Sequence, residues 1–336
     1  MKIIGIGSAL PSLCVPNTDL EPFLDTSDEW IRTRTGIESR HILKDETLSE
    51  LAATAAKRAL EDAGIIGSDL DLIIGITTQG DYIFPAMACT VQKALDAACP
   101  CMDVHAACTG FLYAMDLAEA YLLSGKAKNI LLLSAEGMSR LCNWSDRSTS
   151  VLFGDASAAM VVSQGDSLLS IRLTTQGDTQ TLHGTGYSGN CPFSPHVAST
   201  PGITMAGQDV FKFAVSHSAE DILTVAGEAK IPLSDIRWFI LHQANRRILE
   251  SVRQRLKLTG ERFPSNIHRV GNTSSASIPL LVDTMYRLGK LHPGDLMMFS
   301  AFGAGLSTAA CLLRWDKAPP SAVIADDDNL LFYSLN

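Results

Sequence analysis

The chain repeats itself, and that limits its possible folds more than any other feature. Ile65-Ile66-Gly67-Ser68-Asp69-Leu70-Asp71-Leu72-Ile73-Ile74 returns as Ile231-Pro232-Leu233-Ser234-Asp235-Ile236-Arg237-Trp238-Phe239-Ile240, 166 residues later. Leu131-Leu132-Leu133-Ser134-Ala135-Glu136-Gly137 returns as Met297-Met298-Phe299-Ser300-Ala301-Phe302-Gly303 at the same offset. Between these anchors, Cys108 to Lys126 parallels Asn272 to Lys290 at an offset of 164, so a two-residue gap separates the registers. Short apolar strands resemble one another by chance, but two matches at one offset point to duplication.

Each copy reads helix, strand, loop, helix, strand. The alanine-rich stretches 51–63 and 217–229 are helix-like. Leu72–Thr77, Ile130–Ser134, Trp238–His242 and Leu296–Ser300 are nearly continuous apolar runs. Such runs mark strands buried on both faces, in a sheet covered by helices. The expectation is a duplicated, layered α/β fold, with sites at strand carboxyl ends and helix N-termini.

Composition narrows the function classes. A hydrophobic content of 46% in 336 residues supplies a large core. A net charge of −9 argues against nucleic-acid binding. No apolar run approaches the ~18 residues of a membrane span, and Met1-Lys2-Ile3-Ile4-Gly5-Ile6-Gly7 reads as a first strand rather than a secretory signal. The eight cysteines form no CxxC pair, and Cys99 and Cys101 stand too close for a zinc ribbon. Scattered, apolar-flanked thiols fit a reduced, cytoplasmic protein without a structural metal.

Four segments carry candidate chemistry. Ala106-Ala107-Cys108-Thr109-Gly110 leads into a helix with apolar spacing through Leu122 and a stop at Gly125. A thiol at a helix start meets backbone N–H groups and the positive end of the dipole, which favour a thiolate. A buried, inert cysteine is the competing reading. His242 follows a buried strand and is open to a structural role. Asn272 opens a helix in the repeat position of Cys108, and a simple N-cap would explain it equally. Phe299-Ser300-Ala301-Phe302-Gly303-Ala304-Gly305 is either a tight turn or a source of N–H donors for an oxyanion.

Together these segments resemble the thiolase superfamily, and most closely β-ketoacyl-acyl carrier protein synthase III. The resemblance runs from Met1 to about Trp315. It rests on Thr26-Ser27-Asp28-Glu29-Trp30, Arg34-Thr35-Gly36-Ile37, Ala106-Ala107-Cys108, Phe153-Gly154-Asp155, His242-Gln243-Ala244-Asn245 and Gly271-Asn272-Thr273-Ser274. It implies a thiolase-like fold, two halves forming an α-β-α-β-α sandwich, divided at 1–168 and 169–316, with 317–336 as an extra tail. It implies that Cys108 takes the acyl group of an acyl-CoA. His242 and Asn272 would then stabilise the enolate formed when malonyl-acyl carrier protein loses carbon dioxide, and the N–H groups of Cys108 and Ala304 would hold the tetrahedral oxyanion. No cofactor is implied, and a homodimer is.

Further roles follow from the same resemblance. Trp30 would stack on the adenine with Arg147 on its other face. Arg34 would meet phosphate, Thr26 the base edge, and Gly207 and Asn245 the pantetheine tunnel. Phe302 would line the acyl pocket, and Phe84 would be lent to that pocket by the partner subunit. Arg246, Arg253 and Lys257 fall on one helical face, flanked by Arg247 and Arg255, with Lys212 in a matching position. This strip would dock the acidic carrier protein, although a solvated helix face is the ordinary meaning of such a pattern.

Departures from the family pattern bear on the acyl donor and acceptor. Leu306-Ser307-Thr308 stands where a threonine-tryptophan-glycine stretch is usual, and Ala156-Ser157-Ala158 replaces glycine, alanine, glycine. His105 precedes Cys108 by three residues and reads as structural. Segment 176–202, which includes Cys191, matches poorly, and the tail adds Asp326-Asp327-Asp328 before Leu330-Leu331-Phe332-Tyr333. The alternatives are a starter-unit condensing enzyme or acyltransferase of secondary metabolism, of polyketide or quinolone type, a non-condensing scaffold subunit, and a Cys-His-Asn hydrolase. A scaffold would have lost the nucleophile, and a hydrolase would not need Trp30, Arg34 and Arg147.

Overall fold

The computed structural model describes residues 1–185, 202–320, 322–324 and 332–335. Two mixed sheets dominate it. The first contains β1 (Lys2–Ala9), β2 (Leu72–Ile76), β3 (Cys101–Val104), β4 (Asn129–Glu136) and β5 (Ala156–Ser163), in the spatial order β1-β5-β4-β2-β3. The second contains β6 (Leu168–Thr175), β7 (Trp238–Leu241), β8 (Leu296–Gly303) and β9 (Ser307–Arg314), in the order β6-β9-β8-β7. The pairings correspond strand for strand. β2 runs parallel to β4 as β7 does to β8, and the remaining matched pairs are antiparallel. Among the described strands of these two sheets only β3 lacks a counterpart, so the duplication read from sequence is present in the topology.

The helices that matter here are α1 (Asp28–Thr35), α2 (Leu48–Ala63), α3 (Gly110–Leu123), α4 (Gly207–Glu228), α5 (Arg246–Leu256) and α6 (Ser277–Arg287). Their order of stacking is set by the strands' two-residue alternation. Ile73, Leu131 and Leu133 pack outward on Leu51, Ala55 and Ala59 of α2. Ile74 and Leu132 point inward and share one core with Ile240 and Phe299 of the other sheet. Phe111 and Met115 of α3 and Leu281 and Met285 of α6 fill that shared core. On the far side, Phe239 and Met298 pack against Ala214 and Ile222 of α4 and Leu249 and Val252 of α5. The layers are therefore α-β-α-β-α, and burial on both faces explains the continuous apolar strands.

Local signals fix the outer helices. Thr47 and Glu50 form a reciprocal capping box on α2, which Gly64 ends in the left-handed conformation. Ser27 caps α1 by accepting from the Trp30 N–H at 3.2 Å.

The described end of the tail packs on its own chain. Tyr333–Ser334 pairs antiparallel with Pro264–Ser265 of the same chain. Leu335 is fully buried, and Phe332 joins the central core. Leu182–Gly184 and Ile203–Met205 form a two-stranded ribbon. The intervening stretch with Cys191, and Asp326-Asp327-Asp328, lie outside the described residues.

Candidate active site

After β3 the chain makes a single 3-10 turn, Ala107–Thr109, and enters α3, so Cys108 sits at a helix start. The Thr109 hydroxyl shares a 2.9 Å hydrogen bond with Ser307, tying this turn to β9. Gly303 closes over it from the end of β8. A Cβ at that glycine would lie 3.0 Å from the Cys108 nitrogen, so only glycine lets the two backbones approach this closely. Ala304 follows Gly303 in the turn, and its carbonyl accepts from Ser307 Oγ.

The electrostatics of Cys108 differ from the expectation of a stabilised thiolate. Burial pushes the thiol up to about 12, and the nearby Glu136 charge adds to that; Ser274 Oγ, 3.4 Å away, opposes it only when its one proton is turned to the sulfur rather than to Glu136. Desolvation is the largest of these influences.

His242 stands at the carboxyl end of β7 and is buried. Its N–H donates to the Ser300 carbonyl at 2.8 Å, and its Nδ1 lies 2.7 Å from Ser277 Oγ. Ser277 Oγ also accepts from the Gln243 N–H, so its own proton is free to point at Nδ1. With that proton turned to Nδ1, the ring carries its own on Nε2. Burial lowers the imidazole to about 3, which keeps it neutral at physiological pH. Phe302 packs edge-on against the ring, with centroids 5.4 Å apart.

Asn272 is held from both sides. Its N–H donates to Leu152 O at 2.8 Å, and its carbonyl accepts from Gly154 N at 3.0 Å. A Cβ at Gly154 would lie 2.2 Å from Val270 O, which accounts for the glycine of Phe153-Gly154-Asp155. The side-chain Oδ1 accepts from Ser274 N at 2.9 Å. This fixes the amide plane with its NH₂ as the group left for a ligand.

The repeat register needs one correction. Asn272 is not the twin of Cys108. The two 3-10 turns, Ala107–Thr109 and Ser274–Ala276, each begin at a residue with positive φ, 45° at Ala107 and 50° at Ser274. The positional twin of Cys108 is therefore Ser275. The offset of 164 holds at the terminal glycines, Gly125 and Gly289, but not at the helix starts, because α6 has 11 residues and α3 has 14.

Cys108, His242 and Asn272 line one cavity of about 800 Å³. Trp30, Arg34, Gly207, Asn245, Phe302 and Gly303 line it as well, and Lys212 and Arg247 complete its rim. Thr26 does not line it, but its buried Oγ1 has no hydrogen-bond partner. Arg147 lies 5.0 Å over the Trp30 ring and pairs with Asp25, so it covers the face expected for a base. Arg34 is 5.8 Å from the same ring. Phe84 is 84% exposed beside exposed Tyr82 and Ile83, away from its own chain's cavity.

The basic strip divides in a way its sequence spacing did not anticipate. Arg246 pairs with Glu250 at 2.8 Å and stacks on Tyr333, while Arg253 donates to Leu258 O at 3.1 Å. Both are partly buried. Arg247, Arg255 and Lys257 are exposed, and so is Lys212, with Asp209 3.6 Å away. The available charges are thus the residues named as flanking, together with Lys257 and Lys212.

Three further residues were not singled out from sequence. Glu136 ends β4, fully buried, beneath Ser274 and Ser275. Ser274 links Asn272, Cys108 and Glu136, and Ser277 orients His242. The carboxyl end of a buried strand was itself a signal for Glu136.

A five-layered duplicated fold with a thiol, a neutral imidazole and an anchored amide in one cavity defines a thiolase-fold acyl-transferring enzyme. Comparison with known proteins narrows the class. Residues 102–177 match the family described as 3-Oxoacyl-[acyl-carrier-protein (ACP)] synthase III, and 227–315 match its C-terminal region. The chain is 42% identical over 321 residues to beta-ketoacyl-[acyl-carrier-protein] synthase III 1 of Bacillus anthracis, covering 94% of this chain and 99% of that one. The crystal structure of the Aquifex aeolicus enzyme superposes with a TM-score of 0.87 at 41% identity, covering 94% and 99% of the two chains. The priming beta-ketosynthase of the R1128 polyketide pathway gives a TM-score of 0.89 at 32% identity, covering 95% and 97%. The chain belongs to the 3-oxoacyl-acyl carrier protein synthase III family.

Proposed function

We infer that the protein is a condensing enzyme that joins an acyl-CoA primer to malonyl-acyl carrier protein and so initiates type II fatty-acid synthesis. The observation that carries this reading is the convergence of Cys108, neutral His242 and anchored Asn272 on one cavity. Cys108 attacks the primer thioester, and CoA leaves as its thiol. Malonyl-acyl carrier protein then enters and loses carbon dioxide. His242 Nε2–H and the Asn272 amide donate to the enolate oxygen without adding a charge that would hold back the carboxylate. The enolate carbon attacks the acyl-Cys108 carbonyl, whose oxygen is held by the N–H groups of Cys108 and Ala304. The Cys108 thiolate leaves and takes up a proton. No redox change occurs in the sequence, and no redox cofactor is called for.

Trp30, Arg34, Thr26, Gly207 and Asn245 would hold CoA. Arg147 would swing from Trp30 to admit the adenine. The exposed Phe84 loop supports a homodimer in which each subunit completes the other's acyl pocket. Lys212, Arg247, Arg255 and Lys257 would meet the carrier protein, and the halves would divide near 168. Among the described residues no helix is long and apolar enough to cross a membrane, and we place the protein in the cytoplasm. The likeness to the R1128 priming ketosynthase favours a second reading, a starter-unit enzyme of secondary metabolism.

Intact-protein mass spectrometry tests both. The enzyme is incubated with acetyl, branched and longer acyl-CoAs, then with malonyl-acyl carrier protein. A Cys108 adduct that is consumed as 3-oxoacyl-carrier protein appears is the expected result, and the preferred acyl group separates the two readings. Cys108→Ala forms no adduct. An adduct of normal stoichiometry in that variant overturns the nucleophile assignment.

A further inference from the structure

Glu136 is a buried carboxyl group for which the reaction above has no use. Its Oε1 accepts from Ser275 Oγ at 2.5 Å and from Ser274 Oγ at 3.0 Å, and its Oε2 from Thr78 N at 2.8 Å. These partners are neutral, and they come from the 3-10 turn after Asn272 and from the loop after β2. Ser275 in turn hydrogen-bonds Ser134 of β4, Glu136's own strand. Ser274 Oγ also stands 3.4 Å from Cys108 Sγ. Sulfur, hydroxyl and carboxylate thus form an unbroken chain that leads from the cavity, where Cys108 is half-buried, to the fully buried Glu136.

His242 is poorly suited to the other task that acyl transfer sets. Its Nδ1 is engaged by Ser277, and its buried, neutral ring is best used as an N–H donor. The thiol of Cys108 still has to give up its proton when the thioester is attacked. We propose that Glu136 is a positioning residue for the acyl-transfer half-reaction: it orients the Ser274 hydroxyl and accepts the Cys108 proton through it. As the Cys108 sulfur bonds to the acyl carbon, its proton passes to Ser274 Oγ, and the Ser274 proton passes to Glu136 Oε1. When the CoA thiolate leaves, the same chain runs backwards and protonates it, so Glu136 ends the half-reaction ionised. Burial raises the Glu136 carboxyl above its ordinary value, which makes it a stronger base than an exposed carboxylate.

This proposal rests on the nucleophile assignment, and the test separates the two. Single-turnover acylation by acetyl-CoA and isobutyryl-CoA is followed from pH 5 to 9 for wild type, Glu136→Gln, Glu136→Asp and Ser274→Ala. Decarboxylation of malonyl-acyl carrier protein by pre-acylated enzyme is measured in parallel. Glu136→Gln should acylate about 10²-fold more slowly at pH 7, within the range of a general base. It should also lose the fall in rate at low pH that protonation of a raised carboxyl imposes, its rate instead climbing with pH throughout. Glu136→Asp should restore the fall, and decarboxylation should be unchanged. A purely Coulombic Glu136 predicts the opposite, because neutralising it eases thiolate formation, and acylation as fast as or faster than wild type overturns the proposal. Acylation and decarboxylation that fall together also overturn it, since they mark a structural role. If Glu136→Gln does not fold, Ser274→Ala decides: it breaks the relay and keeps the carboxyl, and unimpaired acylation refutes the relay. An adduct on Cys108→Ala would instead strike the nucleophile assignment itself.

Discussion

Neutral His242 makes a prediction that joins stability to catalysis. Burial holds the folded-state imidazole near 3, against 6.5 for an unburied one. Between those values the unfolded chain binds a proton that the folded chain refuses, so stability is kept above pH 6.5 and lost as pH falls toward 3. The loss approaches about 1.4 kcal/mol per pH unit, or about 2.5 kcal/mol between pH 7 and pH 4.5. At about 2 cal/mol/K of unfolding entropy per residue, that is a fall in Tm of about 3–4 °C from this one residue. His242→Asn keeps a side-chain N–H donor and removes the titration. Denaturant unfolding of both proteins at pH 7 and pH 4.5 isolates the effect, because the other carboxylates are common to both. The wild type should lose about 2.5 kcal/mol more than the variant. Decarboxylation by acylated wild type should show no inflection near pH 6.5. Parallel stability losses, or an inflection there, would refute a neutral buried imidazole.

Two further expectations concern the separation of roles. Asn272→Ala should leave Cys108 acylation intact and slow malonyl decarboxylation about 10²-fold or more, as loss of an oxyanion donor does; selective loss of acylation would contradict the split. Lys212→Glu with Arg247→Glu should raise KM for the carrier-protein substrate far more than for acyl-CoA, and more so at low salt. Equal effects on both KM values would remove the rim from carrier docking. Arg253→Glu, by contrast, should chiefly destabilise the fold, because its guanidinium holds the Leu258 carbonyl at the end of α5.

Sequence made the architecture legible because duplication and two-sided burial leave strong marks. Four apolar strands could be placed from Leu72–Thr77 and its partners, and each is a strand within a few residues of those bounds. Cys108, His242 and Asn272 could be named because each stands in a segment that resembles the family's, where position alone had left a structural reading open. Their mutual geometry could not, since it depends on backbone contacts such as Gly303 against Cys108 and Gly154 against Val270. The raised thiol was illegible for a related reason: the dipole argument is local, whereas desolvation comes from Ser274, Glu136 and β8, far away in sequence. Helical spacing placed Arg246 and Arg253 with Lys257 on one face, but Glu250, Tyr333 and Leu258 had already claimed them. Glu136 escaped notice because one carboxylate at a strand end has no motif.

The pairing of Cys108 with Ser275 as twins bears on ancestry. A symmetric precursor would have carried the same side chain at both seats, facing each other across the seam between its copies. In the present chain one seat holds sulfur and the other holds oxygen, and the oxygen is turned toward Glu136. The imidazole and the amide come from the second copy alone. Divergence has thus made the two copies unequal: one carries the thiol, and the other carries the imidazole and the amide. On the proposed roles neither copy holds a complete reactive set, and selection on catalysis would act on the seam between them.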